Sequence, residues 1–237
     1  MTNYYLRLFL VTLLGMSWFP MCSAQTLGSK FVGPYLQAGI GYMNISPSIT
    51  ETVSLSSGAL YSPSNVATNS ISGIAGNIGG GYNFKVANHW LLGVGIEVTP
   101  TASASAQTTL SFPNLPNIGP YSGSYQAKNA YNLYITPGYE LKNDELIYGK
   151  LAFSGATVQY SDSLIGSTSI NMTGYSVGMG YKKAYQSSFY AYVEGMYSNF
   201  SNQTFATSAT IGATSVTPTL SIGASAMTFL IGGGYRF

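Results

Sequence analysis

The sequence predicts an all-β chain of eight antiparallel strands closed up-and-down into a barrel, and three observations carry the prediction. The first is a period of two near the C-terminus. Met227, Phe229, Ile231, Gly233, Tyr235 and Phe237 fall on one face; Thr228, Leu230, Gly232, Gly234 and Arg236 fall on the other. Side chains alternate this way along a strand and not along a helix. The second is repetition: Ile231-Gly232-Gly233-Gly234-Tyr235-Arg236-Phe237 has a near copy in Ile78-Gly79-Gly80-Gly81-Tyr82-Asn83-Phe84, and Gly138-Tyr139 and Gly180-Tyr181 repeat its Gly-Tyr step. Four such strand ends indicate four hairpins. The third is that connections between the strand-like segments alternate between long and short.

Composition says what surrounds the barrel. Only 7% of the 237 residues are charged, against about 25% in soluble domains. Disorder is excluded by the 20 Tyr, 11 Phe and 2 Trp at a net charge of +2. Strands whose outer face meets lipid remain. A basic nucleic-acid patch is also excluded, because Lys182-Lys183 is the only adjacent basic pair. Residues 1–24 read as a cleaved signal peptide, with Arg7, an apolar Leu8–Phe19 stretch and a Cys22-Ser23-Ala24 cleavage site. A lipoprotein signal through Cys22 is the lesser alternative. The barrel domain is then 25–237, without cysteine, and any membrane crossing is made of strands.

Each element follows in turn. Strand one runs from about Val32 to Ile45, followed by a long Ser/Thr/Asn-rich loop, 47–70. Strand two, about Ile71 to Phe84, groups Ile74, Ile78, Tyr82 and Phe84, and a short turn carries His89. Strand three sets Trp90, Leu92, Val94, Ile96 and Val98 against Leu91, Gly93, Gly95, Glu97 and Thr99. A second loop, 100–123, contains Pro113, Pro116 and Pro120, which resist regular pairing. Strand four spans about Tyr125–Tyr139, with a charged turn from Glu140 to Glu145; strand five spans about Leu146–Tyr160. After a shorter loop, 161–169, strand six ends at Tyr181 and Lys182–Ser188 turns the chain. Strand seven begins at Phe189, and loop 201–220 precedes strand eight. Long extracellular loops alternating with short periplasmic turns are the pattern of membrane barrels. Tyr82, Trp90, Tyr139, Tyr181 and Tyr235 all fall near the short-turn end. They form an expected aromatic girdle, since such rings favour an interface where one side is apolar and the other wet.

These hairpins, the leader and the terminal Tyr235-x-Phe237 resemble the eight-stranded outer-membrane barrels of the OmpA, OmpX and opacity type, over essentially the whole chain. The resemblance implies location in a bacterial outer membrane, with lipid and lipopolysaccharide around the barrel. It also implies that the barrel-assembly machinery, aided by periplasmic chaperones, recognises the last strand through Tyr235 and Phe237. The peptidoglycan-binding domain of larger members is not expected after Phe237.

Five charged residues, Glu97, Lys128, Lys150, Glu194 and Arg236, fall in strands on the phase opposite the apolar face. A lipid-facing charge costs roughly 2–4 kcal/mol at the bilayer midplane, and eight strands leave an interior just wide enough for side chains. The five are therefore expected to pair in a polar lumen that blocks the barrel, with gaps above and below. His89, the only histidine, lies at the short-turn end, away from where a lipid-modifying site would need it. With one His and one Cys, neither a Ser-His-acid site nor a metal centre is well supplied. No catalytic, cofactor or metal residue is expected. The expected function is a non-enzymatic outer-membrane barrel with a structural or surface-adhesion role, contacting host or surface ligands through loops 47–70, 100–123, 161–169 and 201–220. A small-solute porin is the alternative, and a soluble lectin-like barrel a third reading.

Overall fold

The computed structural model describes residues 29–237, apart from 56–59, 62–64, 101–104, 112–120, 163–165, 186–187, 207–208 and 212–213. The expected signal peptide and Cys22 lie outside the described residues. Eight strands form the wall: β1 Gly33–Leu55, β2 Ile71–Lys85, β3 Trp90–Thr99, β4 Tyr121–Lys142, β5 Glu145–Asp162, β6 Gly166–Ala184, β7 Phe189–Ala206 and β8 Thr214–Arg236. Each pairs antiparallel with the next. β1 also pairs with β8, from Tyr35 opposite Arg236 to Leu55 opposite Val216, which closes the ring. Closure removes the sheet edge that would otherwise present unpaired backbone groups.

The period-two pattern turns the apolar phase outward. Ile74 and Met179 are each 74% exposed and Ile231 is 62% exposed, while Glu97 is 2% exposed and Lys150 1%. This inverts the arrangement of a water-soluble barrel, and so large an exposed apolar belt marks an interaction with something other than water. Along β8 the belt runs from Met227 to Phe237. That is about 33 Å of strand, or roughly 25 Å of height at a 40° tilt, the thickness of an outer-membrane apolar band.

The Gly-Tyr steps have a second purpose, on the inside. Gly81 lies against the hydroxyl of Tyr35, Gly180 against the ring of Tyr148, and Gly234 against the ring of Tyr190, while Gly138 lies against Leu146. In three of the four steps the tyrosine faces out while its glycine makes room for a different tyrosine inside. Gly95 works the same way: a Cβ there would stand 2.6 Å from Tyr134. The lumen is thus filled by rings lying over glycines of the neighbouring strand.

The strands are longer than the sequence suggests. β1 continues from the expected end at Ile45 through Pro47 to Leu55, and β8 begins at Thr214. Loops 47–70, 100–123, 161–169 and 201–220 are therefore largely strand where described, with short pieces at Leu60–Tyr61, Asn65–Thr68, Ala106–Ser111 and Ala209–Ile211. All four pair into the wall: Leu60–Tyr61 with β1, Asn65–Thr68 with Ala106–Ser111, that segment with β4, and Ala209–Ile211 with β8. Polarity pointed to loop, but Thr, Val and Tyr suit an extended backbone whose bonds are met across the ladder. Pro113, Pro116 and Pro120 lie outside the described residues. The short connections hold as turns, although β4 continues to Lys142 and β6 to Ala184.

The segment before β1 closes the short-turn end. Phe31 is 2% exposed and packs with Leu91, Leu146, Ala184 and Tyr190. Asn83 Nδ2 donates to the Phe31 carbonyl at 2.9 Å, and Ser29 Oγ donates to the Glu140 carboxylate.

A candidate functional site in the barrel lumen

The middle of the lumen holds a buried ion cluster. Lys150 projects from β5 and its Nζ donates to both carboxylate oxygens of Glu97 on β3, each at 2.8 Å, and to Glu194 Oε1 on β7 at 2.8 Å. One ammonium thus ties three strands on different sides of the ring. The remaining lone pairs are also used. Asn132 Nδ2 donates to Glu97 Oε1 at 2.8 Å and Asn77 Nδ2 to Oε2 at 3.2 Å. The Tyr148 hydroxyl donates to Glu194 Oε2 at 2.8 Å. Lys150 Nζ also lies 4.4 Å from the centroid of the Tyr134 ring, whose negative face attracts a cation.

Of the five charges expected here, the structure brings together Glu97, Lys150 and Glu194. It places Lys128 elsewhere. Asn129 has φ 51°, and the register of β4 against β5 slips between Lys128 and Tyr131. The bulge reverses the phase: Tyr125 is inside before it, Asn132 and Tyr134 after it. Lys128 therefore falls on the outer phase, where its Nζ donates to Gln159 Oε1 at 2.7 Å. Arg236 is also outside the cluster, at the short-turn end, with Nη1 donating to the Val32 carbonyl at 3.1 Å.

The lysine that joins instead is Lys182, expected from the sequence in a turn. It is 5% exposed, its Nζ donates to Gln37 Oε1 at 3.1 Å, and it sits 4.5, 4.9 and 5.2 Å from the centroids of Tyr35, Tyr190 and Tyr148. Among the described residues the middle of the lumen then carries two acids and two bases, Glu97 and Glu194 against Lys150 and Lys182, with the buried Glu140 apart from them at the short-turn end. The signal was present, since Ser176, Gly178, Gly180 and Lys182 keep one phase past Tyr181. A second missed feature is a belt just beyond the ions. Ser154 Oγ donates to Asn132 Oδ1 at 2.5 Å, Ser154 and Ser176 Oγ lie 2.5 Å apart, and Ser176 and Ser198 Oγ lie 2.6 Å apart. Each member lies 22 residues from the next in the two serine–serine steps and the asparagine step alike.

Above the belt the lumen is not polar, as expected, but apolar. Ile45, Ile71, Tyr125, Val158, Met172, Ile222 and Ala226 form a buried cluster, with Met43, Ile49 and Phe200 packed against it. The reason is that the strands continue through the segments taken for loops, so their inward positions extend the interior upward.

The girdle residues lie on the outer phase near the short turns. Trp90 pairs with Tyr139, their rings 5.1 Å apart, and Ile147 lies opposite both Tyr139 and Tyr181. Tyr82 stacks on Phe84 at 4.6 Å, and Tyr235 meets Phe189 at 4.9 Å and Phe237 at 5.0 Å. The Phe237 amide donates to the Pro34 carbonyl at 3.0 Å. His89 sits on the exposed turn with its ring 5.8 Å from Tyr139. Among the described residues no group of three or more His, Cys, Asp or Glu side chains could hold a metal ion.

At the β4–β5 turn, Lys183 lies 2.9 Å from Asp144, and its hydrogen bond holds that carboxyl below the ordinary 3.8. A depressed folded value gives stabilisation that is present above the unfolded pKa and lost as pH falls through the folded one. A carbonyl-carbon NMR titration is expected to show Asp144 protonating below 3.8. With Lys183→Met its midpoint should move up towards the ordinary value.

A sequence-family profile described as outer membrane protein beta-barrel domain matches residues 11–237. No curated protein matches the chain. Among solved structures, the outer membrane protein OprG from Pseudomonas aeruginosa is 14% identical, with 89% of this chain and 98% of that one covered and a TM-score of 0.58. The outer membrane protease OmpT from Escherichia coli is 13% identical, covering 90% and 99%, with a TM-score of 0.52. Ail, the attachment invasion locus protein of Yersinia pestis, is 17% identical, covering 87% and 99%, with a TM-score of 0.39. The apolar exterior, the closed ring of eight strands and a family match over nearly the whole length lead to one assignment: the chain belongs to the outer-membrane β-barrel domain family.

Proposed function

We propose that the protein is a non-enzymatic barrel of the bacterial outer membrane, exported by a signal peptide cleaved after Ala24, that does not conduct solutes and acts through its long-hairpin end. The observation that carries this reading is the occluded lumen. Lys150 spans from Glu97 to Glu194, Tyr35, Tyr134, Tyr148, Tyr190 and Tyr192 fill the section around them, and Phe31 seals the short-turn mouth. Glycines that could have left water-filled gaps lie under those rings. A catalytic role is poorly supported, because the single histidine is on a turn at the sealed end and both lumenal carboxylates are engaged by Lys150. The described parts of the long hairpins are extended and hydroxyl-rich, suited to contacting other envelope components or external surfaces through hydrogen bonds.

Purified protein in a planar bilayer tests the reading. No steady conductance is expected, and reproducible open channels that vanish with a lumen-filling Gly93→Leu change would reassign the protein as a small porin. Biogenesis gives a separate test of Tyr235 and Phe237 as the segment read by the assembly machinery. Deleting Phe237 is expected to reduce surface-labelled protein severalfold, whereas Ser201→Ala, at an exposed position of the last long hairpin, leaves it near normal. Normal surface levels of the truncated chain would count against that role.

A further inference from the structure

We propose that the apolar chamber above the ion cluster is a binding site for one small, uncharged apolar molecule, of the size of a single aromatic ring or a short alkyl chain. This goes beyond the non-conducting barrel described above, because it gives the lumen a ligand. The walls are Met43, Ile45, Val158, Met172, Phe200 and Ile222, and the floor is Asn77, Asn132, Glu97 and Ser198. The chamber keeps an unfilled volume of about 80 Å³.

The floor decides the ligand's polarity. Each of its polar groups already has partners below or beside it: Asn77 takes the Tyr192 hydroxyl and donates to Glu97, Asn132 takes Ser154 and donates to Glu97, and Ser198 takes Ser176. A charged guest would lose its water and meet no free counter-charge on this floor, where Glu97 is already held by Lys150, which costs on the order of several kcal/mol. An apolar cavity stays dry and accepts apolar guests; an engineered one of about 150 Å³ in another protein binds benzene. The present space is smaller, but Met43, Met172 and Met196 line it, and methionine's unbranched, polarisable side chain reshapes around irregular contents. The ions beneath fix the floor, so the guest enters a blind chamber and not a through-channel.

The methionines also supply the assay. After residue 24 the chain has five: Met43, Met172 and Met196 in the chamber, and Met179 and Met227 on the outer face at 74% and 51% exposure. The full barrel in lipid nanodiscs, carrying ¹³C-methyl methionine, is titrated with toluene. The three chamber methyls are expected to shift along a saturating curve, while the two outer methyls change linearly with toluene in the lipid. Val158→Phe should abolish the saturating response; Ala226→Leu, a smaller filling change, should weaken it at least several-fold and serves if the first variant fails to fold. Chamber methyls that track the outer pair, or saturation undiminished in a folded filled variant, would overturn the site.

Discussion

Replacing Lys150 by methionine is expected to lower the stability of the folded barrel by about 3–5 kcal/mol, the usual consequence of leaving a buried charge without its partner. Two carboxylates would lose their shared cation at once, since Glu97 and Glu194 both rest on that ammonium at 2.8 Å. Glu97→Gln should be milder, because Lys150 keeps Glu194 and the amide keeps bonds to Asn77 or Asn132. The fourfold change Glu97→Gln, Lys150→Met, Glu194→Gln, Lys182→Met, which leaves no charge of the cluster behind, should recover most of the loss, because an apolar or neutral replacement of a whole buried cluster is often no less stable. Urea midpoints in detergent, read from the heat-dependent gel shift of folded barrels, rank the variants. A single Lys150→Met midpoint equal to wild type, or a fourfold variant as weak as the single, would show that the ions do not hold the wall together.

How far this cluster could be read from the sequence depends on phase. Glu97, Lys150 and Glu194 stand in strands with unbroken alternation, so the opposite-face rule puts them inside, and only their mutual pairing needs coordinates. Lys128 fails because one residue of bulge inverts everything before it, and Asn129, a residue type that tolerates positive φ, is its only sequence mark. Lys182 fails for the opposite reason: the alternation was stopped a residue early at Tyr181, where a basic pair looked like a turn. Arg236 keeps the inner phase but sits too close to the strand end to reach the middle. The apolar chamber was hidden by composition. Serine and threonine on the outer phase of the extended hairpins masked Ile45, Ile49 and Ile222 on the inner one, and a polar average reads as loop.

The glycine-under-tyrosine arrangement was half legible, since the Gly-Tyr steps were visible but only their outward rings had an evident purpose. It predicts a coupling. Gly234→Leu should destabilise the barrel by about 1–3 kcal/mol, the range for forcing extra methylenes into a filled interior. The atoms nearest a Cβ at Gly234 all belong to the Tyr190 ring and none to the backbone, so the strain has one source and one remedy. Tyr190→Ala alone should also destabilise, by emptying the space beside Phe31 and removing the bond to Gln37. Gln37 Oε1 keeps its bond from Lys182 in that variant, which limits the damage to the cavity. The double variant places a leucine where the ring was, so its loss should fall short of the sum of the two singles by at least about 1 kcal/mol, as contacting residues show. Both residues lie at the sealed end, where they pair across β7 and β8, and refolding into detergent isolates packing from export. Additive losses in the urea midpoints would mean that ring and glycine are neighbours without being fitted to each other.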